Sequence, residues 1–159
     1  MAQDQIKIEL SQTVSMVVPA TPTVRHRMFL SNLDLRWINF NNAQFLLFYK
    51  TESLREEFRK IVETLKRSLS AVLVDFYPFA GRLDIKRGES GRPKVDCNDE
   101  GVEFVESTID MPFEDVEKDE FKHKSFFKEL ARTHENSYAA PLLSIQVSEN
   151  YPMLFYCYN

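Results

Sequence analysis

Glycine is almost missing from this chain: Gly81, Gly88, Gly91 and Gly101 are the only four in 159 residues. A loop that cradles phosphates needs glycines at fixed spacing so that backbone amides can approach the anion. Neither GxGxxG nor GxxxxGK occurs, which excludes nucleotide binding of that kind. Cysteine is scarcer still. Cys97 and Cys157 form no CxxC pair and are too few for a disulfide framework, so a reduced, cytoplasmic setting is expected. No run of about 18 uncharged apolar residues is present, so no membrane-spanning helix is expected. The opening Met1-Ala2-Gln3-Asp4-Gln5-Ile6-Lys7 lacks the basic-then-apolar order of a secretory signal. Positive charge is not in excess either: 20 Lys and Arg stand against 24 Asp and Glu, a net charge of −4. Without clustered cations to neutralise phosphates, no nucleic-acid partner is expected.

What is present suits one soluble α/β domain. Apolar residues make up 43% of the chain and aromatics 13%, with 13 Phe, which predicts a core built on large rings. Ile6 to Leu10 alternates apolar and polar residues, as a half-buried strand does, and Val14 to Val18 reads as a second extended piece. Pro19 and Pro22 impose a non-helical connector. Leu30-Ser31-Asn32-Leu33-Asp34-Leu35 is rich in small polar side chains and reads as a turn. Phe45 to Tyr49 has the look of a buried strand. The strongest signal is helical. Ser53-Leu54-Arg55-Glu56 forms a capping box, and Leu54, Phe58, Ile61, Leu65, Leu69 and Val72 recur on one face. The pattern predicts a helix from Ser53 to Val74, ended ahead of Pro78.

After the helix, Gly81 to Lys86, Pro93 to Cys97 and Val102 to Glu106 alternate and read as three strands of a meander. Residues 110–120 are acidic and read as a solvated loop or helix face. Phe121 to Asn136 reads as a helix, Leu143 to Val147 as a strand, and Met153 to Tyr158 as strand-like.

Chemistry is thin. The histidines are His26, His123 and His134, and none stands four residues from another, so no HExxH zinc site exists. His26 and His123 are flanked by cations and read as solvated. Cys97 sits on the apolar phase of its strand and reads as a core residue. Asp96-Cys97-Asn98-Asp99-Glu100-Gly101 imitates half of a calcium loop, with oxygen ligands at alternate positions and Gly sixth. The twelfth position, which needs a bidentate Glu, is Ser107, so a strand–turn–strand is expected in its place. No metal site and no catalytic residue is assigned.

Four separated segments carry a resemblance. They are Pro19-Ala20-Thr21-Pro22-Thr23, Leu30-Ser31-Asn32-Leu33-Asp34, Tyr77-Pro78-Phe79-Ala80-Gly81-Arg82-Leu83, and Asp96 through Glu106, with Pro141 through Val147 in support. In order and rough spacing they resemble the plant BAHD acyltransferases over about residues 6–148. The resemblance implies an incomplete, N-terminal lobe of the chloramphenicol-acetyltransferase-like α/β fold, a mixed sheet with packed helices. It also implies transfer of an acyl group from acyl-CoA, a co-substrate rather than a resident cofactor, to a small-molecule alcohol or amine. In that family a histidine of an HxxxD motif takes the acceptor's proton so that it can attack the thioester.

HxxxD does not occur here. The residues four after the three histidines are Leu30, Phe127 and Tyr138, and DFGWG is absent as well. The resemblance fades after Ser148, so the chain reads as a fragment or truncated product, inactive alone. The alternative is a non-catalytic interaction or regulatory form that pairs with a second half or a full-length relative. Structural roles are expected for Asp34, which holds its own turn, and Arg82, which anchors the strand after the helix. Arg36, Trp37 and Ile38 follow the Leu30–Leu35 turn, where the resemblance places the acceptor pocket, and the flat face of Trp37 suits a flat acceptor. Finally, the sheet is expected to be left with an uncovered edge beyond Val147, through which the chain meets a protein partner or itself.

Overall fold

The strongest sequence signal becomes the longest helix. In a computed structural model, which describes residues 9–37, 45–50, 55–84, 92–110, 140–150 and 153–158, α2 spans Arg55–Asp75. Neither glycine nor proline interrupts it. Val62 and Leu73 are buried, and Phe58, Ile61, Leu65 and Leu69 pack around them, on a stripe of three- and four-residue steps. Val72 was expected on that face but is exposed. One residue before Leu73 it is rotated by about 100° and leaves the stripe. The helix closes where Pro78 requires it: the Phe76 N–H still reaches Val72 O at 3.0 Å, and a 3-10 turn, Tyr77–Ala80, follows. The Ser53 capping box lies outside the described residues.

The described strands form two sheets. The larger holds β1 (Glu9–Val17), β6 (Val102–Asp110), β7 (Ser144–Asn150), β8 (Met153–Tyr158) and β3 (Phe45–Lys50) in that order. Among the described strands only β6 and β7 run parallel, with Phe104 beside Ile145. A parallel pair needs a long crossover, and here it is made through residues 111–143. Of these, 111–139, which include the acidic stretch and the Phe121–Asn136 segment, lie outside the described residues. The smaller sheet holds β2 (His26–Phe29), β5 (Lys94–Cys97) and β4 (Arg82–Asp84). The core lies between α2 and one face of the larger sheet, where Val17, Val102, Phe104 and Val147 are buried.

Three expectations change. First, β4, β5 and β6 are not one meander. β4 and β5 pair antiparallel, but the chain then leaves for the other sheet. The turn that redirects it has Asp99 at φ 57° and Gly101 at φ 95°, and beyond it β6 pairs with β1 instead of β5. Second, the Leu30–Leu35 turn is the start of a short helix, α1 (Asn32–Trp37). Third, the edge beyond Val147 is not open. β8 returns antiparallel along β7, with Val147 beside Tyr156, and then pairs with β3. The uncharged segment Met153–Tyr158, read as strand-like, supplies the strand that fills that edge.

Candidate functional site

The family-like motifs converge on one joint between the two sheets. The Asp99 carboxylate accepts from the Thr23 N–H at 2.8 Å and the Thr23 hydroxyl at 2.6 Å, so the Pro19–Thr23 connector is clamped to the Asn98–Gly101 turn. On the other side, Arg82 donates through Nη1 to the carbonyls of Gly81 and Gly101, and its Nε lies 3.1 Å from Glu100. The planar fork of arginine suits this divergent set of acceptors; a point-charge lysine would reach fewer. The Gly101 N–H donates to Ala80 O at 2.9 Å, and the Ala20 N–H to Ser70 O at 2.8 Å. Gly81 has no room for a side chain, because a Cβ there would lie 2.5 Å from Asp96 O. These motifs are architecture: Arg82 anchors its strand as expected, and Asp96 to Gly101 is a strand–turn–strand whose carboxylates face Thr23, Arg25 and Arg82. Among the described residues, no three His, Cys, Asp or Glu side chains group to hold a metal ion.

The candidate acceptor residues Arg36 and Trp37 close α1, with Arg36 exposed; Ile38 lies outside the described residues. The start of α1 is a reciprocal cap. The Ser31 N–H donates to Asp34 Oδ2 at 2.8 Å, and the Asp34 N–H donates to Ser31 Oγ at 3.2 Å. Arg92 braces the same point, donating to Leu30 O at 2.7 Å and Asn32 Oδ1 at 2.9 Å. So Asp34 does hold its own turn, and it positions the helix that carries Arg36 and Trp37. Hydrogen bonding from Ser31, hydroxyl first and backbone second, holds the Asp34 carboxyl below its usual value of 3.8. A depressed folded-state value means that the cap is fully present above 3.8 and is lost as pH falls through the lowered value. We expect the amide resonances of Asn32 to Arg36 to move together in an acid titration, with Asp34→Ala abolishing the transition. Signals that titrate identically in both proteins would remove Asp34 from this role.

Sequence reasoning missed a buried polar ladder. Glu103, Ser107, Ser144, Gln146 and Ser148 sit on the β6–β7 face opposite α2 and are all buried. The Ser144 hydroxyl donates to Glu103 Oε2 at 2.8 Å, the Ser107 and Ser148 hydroxyls bond each other, and Gln146 Nε2 reaches both hydroxyls at 3.1 and 3.2 Å. Gln146 Oε1 has no hydrogen-bond partner among the described residues. Strict alternation on β6 and β7 suggested half-buried strands, and only tertiary structure shows that the polar phase is buried too. The ladder also pins the register of the parallel pair, since a one-residue slip would set these groups against the apolar face.

The remaining titratable candidates have structural settings. His26 is exposed; its Nδ1 is 3.0 Å from Val24 O and its ring is tilted against Tyr77. His123 and His134 lie outside the described residues. Cys97 is buried, and burial first, then Asp96 and Asp99, pushes its thiol up, away from the nucleophilic thiolate. Among the described residues no helix is long and apolar enough to cross a membrane.

A mixed sheet with one helix packed on its core face, and motifs gathered at the joint to a smaller sheet, defines a partial lobe of the chloramphenicol-acetyltransferase-like architecture. The chain matches the Transferase family over residues 6–150, and it belongs to that family, the BAHD acyltransferases. It is 41% identical to shikimate O-hydroxycinnamoyltransferase of Nicotiana tabacum over 110 residues, which are 69% of this chain and 24% of the relative. The structure is similar to vinorine synthase, with TM-score 0.69 and 24% identity, over 96% of this chain and 37% of that one. It is also similar to F. sporotrichioides TRI101 complexed with coenzyme A and T-2, with TM-score 0.67 and 20% identity, over 84% of this chain and 35% of that one. The chain spans about a quarter of the length of the curated relatives it matches.

Proposed function

We propose that this chain is the acceptor-side part of a cytoplasmic acyltransferase that uses acyl-CoA as donor and an alcohol or amine as acceptor, and that it is inactive alone. No resident cofactor is needed, because the thioester supplies the activated acyl group. The observation that carries the reading is the family match over residues 6–150 in a chain that contains no HxxxD. A solved protein of the same fold is complexed with coenzyme A, which supports the choice of donor. In the transfer, a base removes the proton of the acceptor hydroxyl as its oxygen attacks the thioester carbonyl, and the coenzyme leaves as its thiol. His26, the histidine among the described residues, makes its close contacts with Val24 O and Tyr77. The contribution of this chain is then positional. Arg36 and Trp37, held at the end of α1 by the Ser31–Asp34 cap, form part of the acceptor wall together with Ile38.

Two measurements test this. Thiol release from acyl-CoA by the purified chain, with alcohol and amine acceptors, is expected to stay at background; turnover that disappears in His26→Ala would overturn the inactive reading. Trp37 is the single tryptophan, so its fluorescence reports directly on an aromatic acceptor. A saturable change is expected, and a flat titration would take Trp37 out of the acceptor wall.

A further inference from the structure

Strand β1 forms one edge of the larger sheet, and among the described residues its protection is slight: one charge, Glu9, at its start. Its nine residues pair with β6 in an unbroken register, from Glu9 beside Asp110 to Val17 beside Val102, with no bulge to twist the edge away. From Leu10 to Val18 the sequence has no charged residue and no proline. On its other side β1 has no strand partner among the described residues, so a row of outward N–H and C=O groups is left available. Val14 and Met16 lie on the same face of this edge and are 45% and 44% exposed. The opposite edge, β3, is shorter, six residues against nine, and its charge, Lys50, stands within four residues of the exposed Leu47, whereas Glu9 is five residues from Val14.

We infer that β1 is a self-association surface whose partner is β1 of a second copy, paired antiparallel about a two-fold axis. An antiparallel two-fold centred on a residue matches positions of equal parity. Outward amides therefore meet outward carbonyls, and each face of one sheet continues into the same face of the other. With the axis at Ser15, Val14 of each copy stands opposite Met16 of the other, and both exposed apolar side chains are covered. The near absence of charge on β1 matters here, because a charged strand would meet its own charge across the axis. The pairing is closed: each copy uses its one β1 edge, so association stops at a dimer with a continuous ten-stranded sheet. A contact of one strand per copy falls short of the roughly 1,200–2,000 Å² of a stable interface, so the dimer is reversible and concentration-dependent.

Sedimentation velocity of the full chain across a dilution series is the test. We expect a monomer–dimer equilibrium and, for Val14→Lys/Met16→Lys, a dissociation constant raised at least ~tenfold by like charges set opposite one another. Leu47→Lys, on β3, should leave it unchanged, with circular dichroism confirming that both variants are folded. Hydrogen exchange on the unmodified chain gives a second readout that needs no variant: alternate amides of β1 should gain protection as concentration rises, while β3 amides do not. A monomer at every concentration, growth beyond the dimer, or association lost in Leu47→Lys but kept in Val14→Lys/Met16→Lys would overturn the proposal.

Discussion

Replacing Phe104 by alanine is expected to cost about 3–5 kcal/mol, the range for truncating a large buried ring. Phe104 is 1% exposed and is the largest fully buried side chain among the described residues. It lies on the interior strand β6, beside Ser15 of β1 and Ile145 of β7, under the helix α2. Lys66 of α2 passes 5.1 Å above its ring while pairing with Glu106, so the ring also seats the ion pair that ties helix to sheet. Typical domains are stable by only about 5–15 kcal/mol, so the loss removes a large share of the total. For a chain of this size it lowers the melting midpoint by roughly 6–20 °C. Urea or thermal unfolding measures it, with Val24→Ala, at an exposed site, expected to stay within about 0.5 kcal/mol. A Phe104→Ala loss below about 1 kcal/mol would show that this face of β6 is not close-packed.

Gly101→Ala should be nearly as damaging, for a different reason. The residue sits at φ 95°, and an added Cβ would come within 2.7 Å of Val17 O and 3.1 Å of Val18 Cγ1. The nearest obstacle is backbone, so it cannot rotate away. The conformational penalty alone is about 1–3 kcal/mol, and relieving the contact means moving β1 away from the turn. Because Gly101 O also receives Arg82, and its N–H bonds Ala80 O, the shift reaches the 3-10 turn and the smaller sheet. We expect denaturation at lower urea and a loss of the Thr23–Asp99 clamp, visible as faster exchange of the Thr23 amide. An alanine variant as stable as the parent would mean that the joint is pliable.

The elements legible in the sequence were those whose signal is local. The stripe from Phe58 to Leu69 announced α2, Pro78 announced its end, and alternation announced β5, β6 and β7. Helix α1 was misread because Ser31, Asn32 and Asp34 favour turns, although Ser31 and Asp34 stand at the three-residue spacing of a reciprocal cap. The split of β5 and β6 between two sheets was hidden, since a left-handed Asp99 followed by Gly101 looks like any turn until its path is traced. The return of β8 onto β3 depends on a pairing between residues more than a hundred positions apart, for which no local pattern exists. Of the candidate site, the motifs were legible as motifs, but their convergence on Arg82, Asp99 and Gly101 was not. The buried ladder around Gln146 was invisible because a buried polar phase and a solvated one have the same alternation.

The wide separation of β1 from its partner has a consequence for synthesis. Ser15 and Phe104, joined through the Ser15 hydroxyl, are 89 residues apart. β1 therefore leaves the ribosome long before β6 begins at Val102, a delay of roughly 4–17 s at translation rates of ~5–20 residues per second. During that interval all three strands of the smaller sheet and helix α2 have emerged and can organise from nearer contacts. β1, whose one charge is Glu9, has neither of its edges occupied. The nascent chain thus passes through a stage in which β1 is complete but unpaired, and β3 waits longer still, until β8 follows at Met153.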